Sequence, residues 1–375
     1  IDTANRRFFF LTTASCPFGM VNLSPDTRFG EDAWQAGYRY TDEHIRGFSH
    51  VHAWQLCGIP VMPTMGEMRG PAGSEGYKSR FRHDSEVAAP GYHAVTLENY
   101  GIRAELTATT RVGLHRYTFA ETGRAWILVD LPASISLAMS DCRVERTGAN
   151  EFTGYVENAP TRRRPKPARI FFTLQSQQTP EEVVAWEGGA VLPLSEARNG
   201  CGLALGFDVQ AGDALLLRVG ISYCGVEQAQ DNVRAELDHW DFDRVRSEAR
   251  DEWNHWLSRI EVEGGTDAQK TKFYTDLFHA LKGRRRVSDA GGTYMDRTGD
   301  TPTVRQIPLG EAGKPLYEHH NSDAFWGAPW SLNLLWPMVC PQITHNVCNT
   351  LVDMYRNGGL IPRGPSGGNY TFVMI

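Results

Sequence analysis

The apolar residues of this chain change their spacing once, near Gln228, and that change limits what it can fold into. Before it, short runs rich in β-branched and aromatic residues recur at Tyr92–Leu97, 103–108, 114–119 and 126–131, and again at 170–174, Gly202–Val209 and Ala214–Ser222. Gly, Pro or Asn separates many of them at close to the roughly 8–12-residue spacing of an antiparallel β-sandwich. After it, the spacing is helical. Residues 241–257 set Trp253 and Trp256 on one side and many charges on the other. Thr266 opens a T-x-x-Q capping pattern with Gln269, followed by Phe273, Leu277 and Leu281 on one stripe. Further helices are expected from Ala324 through Leu335 and over 341–357, the latter with Pro341 at its start and Gly358-Gly359 as its stop. The chain therefore reads as a sandwich at 1–238, a linker helix and extended link at 239–265, and the first helices of a second domain at 266–375.

Composition narrows the function classes. A formal net charge of -6 over 375 residues argues against a nucleic-acid partner, which calls for a concentrated basic face. The basic run 162–166 lies in a Pro-rich connection and reads as a solvated loop. A second run, 282–286, falls at a helix C-terminus, where positive charge complements the helix dipole. Seven cysteines show no CxxC and no zinc-ligand spacing, and an odd number leaves at least one outside any intrachain pair. No apolar run approaches the roughly 18 residues of a membrane-spanning helix.

Two stretches concentrate chemistry. Residues 317–327, YEHHNSDAFWG, pack two histidines, an amide, a carboxylate and aromatic rings before an apolar run. Carboxylates and amides bond sugar hydroxyls, and flat rings take sugar C–H faces. In 47–54, GFSHVHAW, an extended chain projects His50, His52 and Trp54 from one face. Two histidines at i and i+2 suit a metal or a hydrogen-bonded structural pair, and no third ligand lies nearby in sequence. Trp54 suits sugar stacking or a core. The polar, Gly- and Asp-rich stretch 287–313 is long enough to suggest function. Residues 370–375 look like the opening of another apolar helix, and three such helices cannot enclose a core alone, so an incomplete portion of a longer protein is expected.

The blocks CPFGMVNLSPDT, GYRYTDEHIRGFSHVHAW, FRHDSEVAAPGYHAVTLENYGIRAELTATTRVGLHRYTF, EVEGGTDAQKTKFYTDLFHAL and NSDAFWGAPWSLNLLWPM resemble the calcium-dependent α-mannosidases of glycoside hydrolase family 92. The resemblance covers nearly the whole chain and is weakest over 141–230. It implies an N-terminal antiparallel β-sandwich followed by the beginning of an (α/α)6 barrel, with the active site between them. It also implies removal of terminal α-linked mannose, α-1,2 in this reading, from N-glycans or mannan with inversion. Inversion needs an acid and a base with carboxyls about 6.5–9.5 Å apart. By the resemblance, neither lies in this chain: both carboxylates, and most ligands of a Ca2+ that grips the mannose 2- and 3-hydroxyls, fall beyond Ile375. Asp323 matches an aspartate that hydrogen-bonds the terminal mannose, and Trp54 an aromatic contributed by the sandwich. His52, His320, Trp326 and Asn369 are further carry-overs as substrate contacts, each with a structural role equally open. Tyr370 stands where many members carry Glu, which leaves linkage preference open. The implied partners are a mannose-containing glycan and the remaining portion of the protein, in the same chain or as a second chain. The implied location is secreted, periplasmic or at the cell surface. A non-catalytic carbohydrate-binding fragment and another (α/α)6 enzyme, such as a glycoside phosphorylase, stay open as alternatives.

Overall fold

The structure, a computed structural model, describes residues 3–4, 12–30, 37–52, 56–135, 137–161, 164–321, 331–359 and 361. Its N-terminal part is two facing antiparallel sheets. The first has seven strands in the order Ser24–Asp26, Gly47–His52, Cys57–Met65, Gly123–Val129, Gly202–Val209, Glu182–Glu187 and Ala190–Pro193. The second has eight, in the order Met139–Arg146, Glu151–Asn158, Ala168–Ser176, Ala214–Ser222, Val112–Phe119, Ile102–Ala108, Tyr92–Leu97 and Val87–Ala89. Alternation of side chains places Phe48, Val61, Ile127 and Leu205 of one sheet against Leu106, Tyr117, Phe172 and Val219 of the other in a single core.

The larger sheet is covered on its other face too. Tyr92, Ala94, Val112 and Leu114 pack against Val233, Leu237, Phe242 and Val245 of two helices, Val226–Glu236 and Phe242–Leu257. This is why runs such as Tyr92–Leu97 are apolar almost throughout: both of their faces are buried. The Val226–Glu236 helix falls within what reads in sequence as the sandwich. It buries only Ala229, Asn232 and Val233, too few for a helical stripe, and Asn232 ties it down by donating to Ile221 O at 2.9 Å and to Asp289 Oδ1 at 2.8 Å.

Beyond the connecting helix, residues 260–263 run without strand pairing. The Asp267–Lys282 helix then starts at the expected capping box, with Thr266 and Gln269 bonded reciprocally. A Thr293–Asp296 and Thr303–Gln306 hairpin fills the polar stretch. Most of the expected 324–335 helix lies outside the described residues, which exclude 322–330; the described helix is Leu332–Val339, with Pro337 inside it. The last helix, Pro341–Gly358, ends as expected at Gly359, whose φ of 75° is a left-handed stop.

One residue of the N-terminal segment belongs to the helical core. Phe18 sits edge-on against Trp256 and Trp336, with centroids 5.4 and 5.2 Å away, in a cluster with Trp253, Leu277 and Ile343. Its φ of 55° is uncommon for a non-glycine residue, and a bulky ring there is held only because packing and backbone bonds from both sides fix it.

Candidate functional site

Gly283 caps the Asp267–Lys282 helix in extended conformation, and Arg284 follows with φ at 51°. The chain thereby turns out of the helix, and Arg284, Arg285 and Arg286 become a strip between the sandwich and the 318–321 segment. Arg286 N–H donates to Phe18 O at 2.9 Å, Asn321 N–H to Arg285 O at 2.9 Å, and Val287 N–H to His319 O at 2.7 Å. Residues 282–286 do fall at a helix C-terminus, and Arg284 and Arg285 are buried there. The other basic run, read as a solvated loop, is corrected. Arg164 is 1% exposed and donates to the Lys166 and Ala159 carbonyls at 2.6 and 2.7 Å, because a buried guanidinium must find acceptors. Arg162 and Arg163 lie outside the described residues.

The strip is bonded to the sandwich through Arg285. Its Nη1 donates to Asn22 Oδ1 and, at 2.9 Å, to the carbonyl of His52. The His52 ring lies behind this contact, with Nδ1 2.9 Å from Asn22 O and Nε2 2.7 Å from Asp26 Oδ1. Ser49 donates to the second Asp26 oxygen. Both ring nitrogens thus face acceptors in a buried setting, and neither is left for a ligand. His50 turns to Ile59 O at 2.8 Å and to Nε2 of His115 at 2.9 Å, whose ring continues to Tyr117 at 2.7 Å. Burial lowers the His50 pKa to about 4. The i, i+2 histidines are therefore a hydrogen-bonded structural pair.

On the helical side, His320 is fully buried, Nδ1 lies 2.6 Å from Arg284 O, and its N–H donates to Thr350 Oγ1 at 3.0 Å. Burial takes its pKa down to about 4. Among the described residues its Nε2 has no hydrogen-bond partner. The neighbouring His319 stacks on Tyr294 at 4.0 Å, and burial followed by the nearby His320 lowers its pKa to about 3.

Charge pairs close the seam. Arg111, on the sandwich, donates to Glu236 Oε1 at 2.6 Å and to Ser288 O at 2.7 Å, and approaches Glu318 at 3.5 Å. Arg286 pairs with the other Glu318 oxygen and donates to Pro17 O at 3.1 Å. Burial works against the Glu318 carboxylate, but Arg286 and Arg111 outweigh it and hold its pKa below the ordinary value. Glu252 goes the other way, raised by burial. None of Arg285, Asn22, Asp26, Arg111 or Glu318 was singled out from sequence.

Of the six predicted contacts, the structure places His52 and His320 on opposite sides of one arginine strip. Trp54, Asp323, Trp326 and Asn369 lie outside the described residues. Among the described residues no group of three or more His, Cys, Asp or Glu is arranged to hold a metal ion. A cavity of about 770 Å³ opens between Tyr38, Glu86 and the Asp267–Lys282 helix. It shares no lining residue with the strip. No described helix is long and apolar enough to cross a membrane.

Residues 1–222 match the glycosyl hydrolase family 92 N-terminal domain and residues 228–375 its catalytic domain. An uncharacterized secreted glycosidase of Arthroderma benhamiae is 26% identical over 316 residues, 75% of this chain and 40% of that protein. A family GH92 α-mannosidase of Bacteroides thetaiotaomicron, solved in complex with mannoimidazole, superposes with a TM-score of 0.83 at 22% identity, over 100% of this chain and 51% of its own. A family GH92 inverting mannosidase of Bacteroides thetaiotaomicron gives 0.83 at 23% identity, over 99% and 48%. The chain thus spans about half the length of these solved relatives and has their fold. With both domain matches together accounting for nearly every residue, the chain belongs to glycosyl hydrolase family 92.

Proposed function

We propose that this chain is the sugar-holding portion of an exo-α-mannosidase that removes terminal α-linked mannose, α-1,2-linked by preference, from N-glycans or mannan with inversion. The observation that carries this reading is the arginine strip. It bonds His52 and Asn321, each two residues before a residue that the family resemblance makes a sugar contact, to one short segment. Trp54 takes the sugar's C–H face and Asp323 its hydroxyls through charge-assisted hydrogen bonds. His320, whose Nε2 has no partner among the described residues, Trp326 and Asn369 complete the contacts, whereas His52 acts by holding Asp26.

The general acid and base that inversion requires are assigned to the remainder of the longer protein, as are the helices that extend this domain into an (α/α)6 barrel. Leu334, Met338 and Tyr355 on the last helices, each more than half exposed, suit such neighbours. Calcium belongs to the same remainder in this reading, and no step described here runs through it. The secreted relative supports a secreted or cell-surface location.

The test is release of free mannose from α-1,2-linked mannobiose by the full-length protein, with and without a calcium chelator. The reading expects release that chelation abolishes and added calcium restores. No release from mannobiose of any α linkage, in calcium, would overturn it.

A further inference from the structure

Cys142 lies on Met139–Arg146, the edge strand of the eight-stranded sheet, and Cys201 directly precedes Gly202–Val209 of the seven-stranded one. Both are 1% exposed, in the common core of the sandwich. The Cys142 carbonyl accepts the Gly200 N–H at 2.8 Å, and the Cys142 sulfur lies 3.8 Å from the Cys201 carbonyl oxygen. A carbonyl oxygen stands about 2.4 Å from its own Cα, so this sulfur is no more than about 6 Å from the Cys201 Cα, within reach of a bridge by side-chain rotation. Cys16 and Cys57 turn elsewhere, their sulfurs against Ala108 O at 3.1 Å and Asn158 Oδ1 at 3.5 Å. Cys142 and Cys201 stand here as free thiols, and burial, followed by the neighbouring Cys201, pushes the Cys142 pKa up to about 12. The closed core therefore holds little thiolate, and a bond between them forms while the chain is still open. Resting on the reading of a secreted location, where disulfides persist, we infer that Cys142 and Cys201 are a disulfide site that staples the two sheets, closed by oxidised glutathione or an equivalent small disulfide. One thiolate attacks a glutathione sulfur and expels the first glutathione thiolate. The second attacks the protein sulfur of that mixed disulfide and expels the other, so the two electrons lost by the cysteines end on glutathione.

The edge strand has few apolar side chains to hold it, and a cross-link between residues 59 positions apart restricts the unfolded chain. The full-length protein is synthesised in an oxidising glutathione buffer, alkylated in denaturant and digested without reduction, and its peptides are weighed. The expected product is a Cys142 peptide joined to a Cys201 peptide, two hydrogens lighter than their sum, which reductant separates. Reductant is also expected to lower the thermal midpoint of the wild type by about 5–10 °C, and to have no such effect on a folded Cys201→Ser variant. The peptide map needs only the wild type, so it decides the pairing even where that variant does not fold. Folded wild type in which both cysteines carry the alkylating group, or either is joined to a different cysteine, or reductant leaves the midpoint unchanged, overturns the inference. Because the buffer supplies the oxidant, protein retained inside the producing cell would count against the secreted reading alone.

Discussion

Phe18 shows how single residues hold the seam together. It belongs by sequence to the segment entering the sandwich, yet it is fully buried among helix side chains. Its N–H donates to Leu281 O at 3.2 Å and its carbonyl accepts from Arg286, so the ring and both backbone groups hold one point. Phe18→Ala should destabilise the protein by about 3–5 kcal/mol, the cost of emptying a closely packed aromatic site. Equilibrium denaturation checks this, and a loss below about 1 kcal/mol would mean that the two parts do not depend on this plug. Nothing in CPFGM announces that Phe18 faces away from the sandwich, because its partners lie more than 230 positions along the chain.

Elements were legible where local rules and tertiary packing agree. The Gly202–Val209 and Ala214–Ser222 strands have the bounds their alternation suggests, with the turn between them closed by Asp213 N–H donating to Gln210 O at 3.0 Å. The Asp267–Lys282 helix begins at the box its first residues encode. Met139–Arg146 and Glu151–Asn158 were not read as strands. Met139–Arg146 forms an edge of the larger sheet, where Arg143, Glu145 and Arg146 face water and leave few apolar positions to alternate. The burial of the arginine strip was not legible for a related reason. Consecutive arginines are ordinarily solvated, and only the carbonyls and carboxylates of distant segments make their burial affordable. The candidate site was thus legible only in part: the proposed sugar contacts come from residue chemistry and the family resemblance, while Arg285, Arg111 and Glu318 become visible only in three dimensions.

At the scale of the whole molecule, buried histidines tie stability to pH. Burial sets His50 and His320 at about 4 and His93 and His319 at about 3, against about 6.5 for an unfolded chain. All four are neutral in the fold where the unfolded chain binds protons, so their stability is complete above about pH 6.5 and is lost as pH falls toward 4. Asp130 opposes them: burial raises its pKa to about 6 although Tyr77 donates to it at 2.6 Å, so its contribution is lost as pH rises through 6. Four groups outweigh one. Denaturant unfolding at pH 7.5 and pH 5 should show the protein weaker at pH 5 by at least about 2 kcal/mol. An unchanged or higher midpoint at pH 5 would mean that these histidines bind protons while folded.

The central claim is that this chain grips the sugar, and Asp323 is the side chain on which that claim rests most heavily. The direct measurement is mannose release from α-linked mannobiose by full-length wild type and Asp323→Ala, with matched circular dichroism spectra. Loss of a charge-assisted hydrogen bond worth about 1.5–3 kcal/mol should lower kcat/KM on the order of 10- to 100-fold. Near-wild-type turnover by a folded Asp323→Ala would contradict the claim.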